Sequence, residues 1–445
     1  MNKMIIKTIV CVLLFIFFGT SFDARIIEAK KAIISTKRVK TIRQYVSYTY
    51  TDKNGNVKTE SLKEKVGCGI NGCDKHDEDY VKKGLSEGKD IDSIIDCKCG
   101  SNLYQIKVPI NVVEDGNKIV QQYKTLESLG YYSLQGSCID GNELYIAFSN
   151  KGKGDDNNKK VFNDIKEATS LSAVNLTAIV ILNISNNYTV STVEFVKGIE
   201  QIDDAIKYLG HSNDMAFDKG KLQTTWYELI GSGKRFTIGY IDVSEETKGM
   251  ATNIGKGKKY KKRSMFGITK YRNKDNEFAV GIREEKSKTI RYVDYYKYKN
   301  RPGKKQIKYQ YVKVKRLFSI HKESAKSKLK VCQCMTSTKN YIYVNVFKEQ
   351  KKGNNNAIQI YKYCKVKVGG KKYKKFKYKK TVMVKDPEVI DSSGKRVNTS
   401  HKKWEIEGFG HLKKKKFYCV IVMPKPDKSG MLTNKQAYLT TLKIK

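Results

Sequence analysis

One hairpin recurs along this chain with its register intact. In QGSCIDGNELY the step from Gln135 to Tyr145 is ten residues, and a polar opener leads a short apolar strand, an Asp140-Gly141-Asn142 turn and a second strand. Short apolar runs split by such a turn spell a tight β-hairpin. In QCMTSTKNYIY, Gln333 to Tyr343 is again ten, with Asn340 over Asn142 and Ile342 over Leu144. In EGFGHLKKKKFY, Glu407 to Phe417 is ten, with Gly408 over Gly136. In NDMAFDKGKLQT, Asn213 takes the opener's place, and Asp218 and Leu222 fall over Asp140 and Leu144. A longer copy, SMFGITKYRNKDNEFAVGI, runs from Ser264 to Ile282 and opens near Met265. The repetition predicts that Leu144, Leu222, Phe278, Ile342 and Phe417 occupy equivalent places.

The period selects the architecture. The openers at 135, 213, 333 and 407 are separated by 78, 120 and 74 residues, and the widest gap holds the longer copy, so the mean step is 68. Further strand text lies between hairpins: AIVILNI, YTVSTVEFV, KRFTIGYIDV, TIRYVDYYKY and NAIQIYKYCKVKV. Helical text is scarce, EQIDDAIKYLG (200–210) being the best short stretch. Repeated four-stranded antiparallel sheets are the blades of a β-propeller. We therefore expect an all-β chain, a single β-propeller of five four-stranded blades, with six open if the leader adds strands. A step near 68 exceeds the roughly 40–50 residues of compact blades, so loops must protrude. The last unit is short of a strand, and a terminal strand commonly completes such a ring. LYQIKVPINVV (103–113) is the expected closing strand, with VSYTYTD (46–52) also unassigned.

The domain plan is then a signal peptide at 1–24, a leader or rim segment at 25–100 and the propeller at 101–445. MNKMIIKTIVCVLLFIFFGTSFDA has a basic start, an apolar run from Ile9 to Phe18 and small residues at Gly19, Thr20 and Ser21. This is the pattern of a secretory signal, cut after Ser21 or Ala24, and its apolar run is short for a bilayer span. No later segment is apolar enough to span, so the expected product is exported, free or held at the cell wall.

Lys and Arg number 87 against 45 acids, a net charge of +42. Lys predominates, in runs such as KGKKYKKR (256–263), KKYKKFKYKK (371–380) and KKKK (413–416). Lys is a hydrated point charge, whereas bidentate reading of phosphates and bases favours Arg, so nucleic acid is not the expected partner. Lys258, Lys259, Lys261, Lys262, Lys371, Lys372, Lys374 and Lys375 either meet a polyanionic surface or are solvated loop tips. Nine cysteines follow the leader. Cys138, Cys332 and Cys419 sit in apolar strand text and read as small buried hydrophobes. Cys68-x4-Cys73 and Cys97-x-Cys99, near His76, Asp77 and Asp79, fit disulfides or idle thiols better than zinc, because Cys-x-Cys is a poor zinc knuckle. No metal and no cofactor is expected.

In a propeller the inner strand of each blade runs beside the central axis. Gln135, Asn213, Gln333 and Glu407 would gather at one mouth, with His211 and Asp214 adjoining. They either satisfy one another and a water column or bind a ligand. No nucleophile, phosphate loop or metalloprotease motif is present. The best catalytic set is His211, Asp214 and Glu407, an imidazole and two carboxylates suited to acid–base or glycoside chemistry.

Gln135-Gly136, Gly210-His211 and Gln333 resemble the hairpins and turns of secreted β-propellers of Gram-positive bacteria, over about residues 103 to 445. More loosely, the chain resembles five-bladed propellers of teichoic-acid-associated and phage receptor-binding proteins. That resemblance implies binding of a cell-wall glycopolymer. Cys334 stands where a Gly is expected, and Asn213 replaces Gln. The expectation is a secreted, basic, monomeric and non-catalytic binder of an anionic cell-wall polymer or polysaccharide. Its alternative is a carbohydrate-active hydrolase or lyase working at the channel mouth.

Overall fold

Each copy of the hairpin opens a sheet. The computed structural model describes residues 32–67, 77–114, 118–149, 177–196, 199–202, 205–207, 214–230, 233–243, 250–252, 263–284, 291–302, 307–321, 331–348, 355–368, 371–390, 394–397, 404–426 and 432–444. The first sheet runs from β1 (Ser133–Asp140) through Glu143–Ser149 and Thr177–Asn183 to Thr189–Val196. The second starts at β2 (Asp214–Asp218) and continues through Lys221–Ile230, Gly233–Asp242 and Met250–Thr252. β3 (Arg263–Lys270) leads Glu277–Glu284, Arg291–Pro302 and Ile307–Ser319. β4 (Val331–Ser337) leads Tyr341–Lys348, Asn355–Val368 and Lys371–Val384. β5 (Glu405–Lys413) leads Lys416–Pro426 and Leu432–Lys443. In all five, consecutive strands are antiparallel neighbours. The fold is all-β and of propeller type.

The hairpin register holds as the repeat requires. Leu144 faces Ile139, Leu222 faces Phe217, Phe278 faces Lys270, Ile342 faces Ser337 and Phe417 faces His411. All five side chains are buried. Each is the same position because each fills the same seam between sheets. Cys138, Tyr145 and Ile179 of the first sheet pack with Met215, Leu222 and Ile241 of the second. Ala216 and Ile238 meet Met265, Ile268 and Phe278 of the third. Phe266 and Val293 meet Cys332, Met335 and Ile342 of the fourth. Sheets covered on both faces read as continuous apolar runs, and Thr177–Asn183 (TAIVILN) is buried through its first six residues. The inner strands touch in succession: β1 with β2, β2 with β3, β3 with β4, β4 with β5, and β5 with β1.

Ile33–Lys445 is one compact unit. The segment read as a signal peptide, residues 1–24, lies outside the described residues. Arg43–Thr51 and Val57–Lys65 form a hairpin beside the outer strand of the first sheet, with Arg43 paired in parallel to Thr189. Val46 and Tyr48 pack against Val81, Leu85, Ile94 and Ile95 of two short helices, Glu78–Ser86 and Ile91–Ile94. A buried ion pair ties this region together. Lys107 Nζ lies 2.9 Å from Glu64 Oε1, and Tyr48 Oη donates to Glu64 Oε2 at 2.7 Å.

Two expectations are corrected. Residues 103–113 do not join the last sheet, because Lys107–Glu114 is already paired along its length with Lys118–Thr125. The outer edge of the last sheet is instead met by an earlier segment: Lys37 N donates to Thr441 O at 2.8 Å and Lys40 N to Leu439 O at 2.7 Å. The helical reading of 200–210 also fails, since Ile199–Ile202 and Ala205–Lys207 pair as strands. Ile202, Ala205, Ile206 and Leu209 do follow a helical period, and tertiary pairing of the two short strands overrides that local pattern.

Candidate functional site

The openers of the repeat sit at irregularities of the inner strands. The β-ladder slips between Leu134 and Ser137, Met265 and Gly267, Cys332 and Met335, and Ile406 and Gly408. A bulge of this kind re-aims one side chain and twists the strand. Counting back four residues from the inner-strand partner of the seam residue gives Gln135, Asn213, Phe266, Gln333 and Glu407. The longer copy therefore opens at Phe266, one residue beyond the expected Met265, and its opener is apolar. The reason is packing: a Cβ on Gly281 would lie 2.4 Å from the Phe266 ring, so that ring occupies the space beside Gly281. Asn213 and His211 lie outside the described residues.

The next position is Gly136, Asp214, Gly267, Cys334 and Gly408, and here the strands crowd together. A Cβ on Gly136 would stand 2.7 Å from Asp214 Cα, and one on Gly408 would stand 3.0 Å from Ser137 N. Gly136→Ala must therefore push backbone against backbone. Its expected cost is about 1–3 kcal/mol, readable as a lowered denaturant midpoint; an unchanged midpoint would disprove the close approach.

Asp214 fills the room that these small residues leave. It is 0% exposed. Its Oδ2 accepts from Met335 N at 2.8 Å and from Ile268 N at 3.3 Å, joining β2 to β4 and β3. Among the described residues its Oδ1 is buried with no hydrogen-bond partner. Burial pushes this carboxyl well above the usual carboxylate range, against the opposing pull of the Met335, Met215 and Ile268 N–H groups.

Glu407, also buried, accepts from Gln333 Nε2 at 2.7 Å. Gln135 turns back on its own strand, donating from Nε2 to Ser133 Oγ at 2.6 Å. Thus two of the expected polar openers meet, while Gln135 is bonded locally. Cys334 lies under the influence of both carboxylates. Burial first, then Asp214, Cys419 and Glu407, raise its thiol well above the ordinary value. Burial also raises the Tyr104 hydroxyl, with a smaller push from Glu407. Cys334 Sγ lies 3.6 Å from the carbonyl of Ile406, next to Glu407, and Met335, next to Cys334, donates to Asp214, so the two acids flank Cys334.

A polar cavity of about 290 Å³ opens at the other, turn-bearing end of the inner strands. Asp140, Thr269, Lys270, Ser337 and His411 are among its lining residues. Lys270 Nζ lies 3.0 Å from Asp218 Oδ1, and Thr269 Oγ1 and Ser337 Oγ are 3.0 Å apart. Reading of the openers alone missed this end. The recurrent polar residues just before each turn were the available signal.

The basic candidates lie apart from the axis. Lys371, Lys372, Lys374 and Lys375 belong to the fourth strand of the fourth sheet, whose edge beyond it carries Ala32–Ile34, and Lys374 faces Lys365 while Lys372 faces Lys367. Like charges opposed across a ladder destabilise it unless water screens them, and Lys371, Lys374 and Lys375 are exposed. Lys258, Lys259, Lys261 and Lys262 lie outside the described residues, as do Cys68, Cys73 and His76. Cys97 and Cys99 bring their sulfurs to 3.1 Å, with Lys65 Nζ at 3.0 and 3.3 Å. Asp77 caps the helix that follows it, accepting from Asp79 N at 2.8 Å.

No protein-family model matches the chain, and no curated protein matches it. Several solved structures are similar. One is a GH130 enzyme of a group containing glycoside hydrolases that target β-1,2-mannosidic linkages in Candida mannan, at 9% identity and TM-score 0.35 over 70% of this chain and 84% of that one. A GH43 endo-arabinanase from Bacillus licheniformis matches at 9% identity and TM-score 0.32, over 70% and 93% of the two chains. A family 117 glycoside hydrolase from the marine bacterium Zobellia galactanivorans matches at 9% identity and TM-score 0.34, over 76% and 89%. The expectation of a non-catalytic binder of an anionic glycopolymer is corrected at this point. The three solved structures named here are of glycoside hydrolase families, which accords with the alternative and not with the main reading.

Proposed function

We propose that this chain is an exported five-bladed β-propeller that acts on a carbohydrate, with Glu407 as its proton-transfer group at the axis. The observation that carries the reading is the buried Glu407 carboxyl on β5, held at 2.7 Å by Gln333 Nε2 of the neighbouring β4. Glycoside cleavage uses an acid that moves a proton at the glycosidic oxygen, and Glu407 is proposed for that role. Gln333 fixes the Glu407 carboxylate through its amide N–H, so that acid is oriented before any substrate arrives. Asp214 is enclosed by backbone and held toward its neutral form, so it acts by fixing β3 and β4, without touching substrate. His211, two residues before Asn213 in the sequence, is the proposed partner base.

The succession of contacts from β1 around to β5 and back to β1 supports five blades about one axis. The bonds from Lys37 and Lys40 to the final strand support closure by the N-terminal segment, with the remainder of 25–100 as a rim. Export rests on the leader text, and a polysaccharide outside the cell is the proposed partner.

The test is chemical. The mature protein is incubated with a panel of neutral and acidic polysaccharides, and new reducing ends are measured. Glu407→Gln keeps shape and removes proton transfer, so release should fall by about a hundredfold or more while retention on the same polysaccharide is kept. His211→Ala should also lower it. No release from any substrate by the unaltered protein, or full release by Glu407→Gln, would sink this assignment.

A further inference from the structure

The turns of the fourth and fifth sheets enclose a second cleft, of about 390 Å³, which shares only His411 with the axial cavity. Among the described residues its lining holds Lys339, Lys379, Lys380, Lys414 and Lys415 and no aspartate or glutamate. A concave site with five ammonium groups and no acid repels itself, so it gains most from an anion placed among them. One wall is aromatic. Lys379 Nζ stands 5.8 Å from the Tyr341 ring centroid, and the Tyr343 and Phe417 rings meet edge to face at 4.9 Å. Burial, with a smaller contribution from Tyr341, raises the Tyr343 hydroxyl to about 12, so it remains a neutral donor near pH 7.

The cleft is built rather than loose. Thr338 N donates to Tyr341 O at 2.8 Å, Tyr341 N to Thr338 Oγ1 at 3.2 Å, and Ile444 N to Lys415 O at 2.9 Å. His411 Nε2 is 2.8 Å from Lys414 O. Lys414 has φ 51°, a left-handed turn conformation that Lys219 also adopts in the turn of the second sheet. Gly or Asn would sit there more easily.

We infer that this cleft binds a tetrahedral oxyanion ester, phosphate or sulfate, on a sugar-sized body. The ammonium groups take the oxyanion, and Tyr341 takes the ring face. Its volume falls in the range of small-molecule sites, about 300–1,000 Å³. Lys serves such anions as a point charge. The inference stands apart from the chemistry of Glu407, and a catalytically dead Glu407→Gln protein should bind equally well.

The test is calorimetric titration of the mature protein at about 0.1 M salt with glucose 6-phosphate, glucose 6-sulfate, glucose and inorganic phosphate. Both esters, or one, should bind where glucose does not. Lys414→Gln with Lys415→Gln should weaken ester binding about tenfold or more, each lost contact being a charge-assisted one. Lys374→Gln with Lys375→Gln, remote on the fourth strand of the fourth sheet, should leave it within about twofold. Tyr341→Ala should weaken glucose 6-phosphate more than inorganic phosphate. A phosphate ester gains its second charge near pH 6 and a sulfate ester does not, so the ratio of phosphate-ester to sulfate-ester affinity should rise from about pH 5 to 7 whatever His411 contributes to both, which separates the two sources. Equal binding of glucose, equal losses in the two lysine pairs, or no binding of either ester would overturn the inference. Unchanged circular dichroism of the turn variants keeps loss of fold out of the result.

Discussion

Asp214→Ala should lower the free energy of unfolding by about 2–6 kcal/mol, because it orphans two buried N–H donors, each worth about 1–3 kcal/mol when left unpaired. Those donors are Met335 N and Ile268 N, which share one carboxyl oxygen in a place closed to water. The pH dependence has a definite sign. Burial holds the folded-state pKa of Asp214 above its unfolded value, so the folded chain binds more protons than the unfolded one in the window that begins near about pH 4 and extends upward. This group's contribution therefore falls as pH rises through that window, and mild acidification from pH 7 toward 5 should stabilise the protein. Asp214→Asn, which resembles the protonated acid and keeps an acceptor for the two N–H groups, should abolish that gain. Guanidinium unfolding at several pH values measures it. Identical pH slopes for Asp214→Asn and the unaltered protein would show that the carboxyl is not held neutral.

Lys107→Met should cost about 3–5 kcal/mol, the usual penalty for leaving one member of a buried ion pair uncompensated. The carboxylate left behind is Glu64, 3% exposed, with only the Tyr48 hydroxyl still donating to it from this group of three. Adding Glu64→Gln to Lys107→Met removes the orphaned charge and should recover part of the loss. A double variant no better than the single one would mean that the pair packs but does not interact. The position matters because Glu64 belongs to the hairpin beside the first sheet, while Lys107 opens the separate strand Lys107–Glu114. Loss of this link should be seen first as proteolysis within residues 43–65, before global unfolding.

The sequence by itself determined the repeat. A period-two apolar pattern and a turn at a constant offset fix which residue of each hairpin faces a neighbouring sheet, and Leu144, Leu222, Phe278, Ile342 and Phe417 follow from that alone. It also marked Glu407 and Gln333 as equivalent polar positions, and these two do meet. What it could not decide were matters of distance between remote segments. The partner of the last sheet's edge depends on which stretch is already paired, so Lys37–Lys40 took the place expected of 103–113. The opener of the longer copy was set by the space beside Gly281, which turned that position from polar to Phe266. The chemistry of Asp214 was equally hidden. In the text it is one acid beside an asparagine, and only the approach of Gly136, Gly267 and Met335 from three other strands puts it in a dry site at the axis. A carboxylate's character depends on the water it loses, and water is removed by tertiary packing.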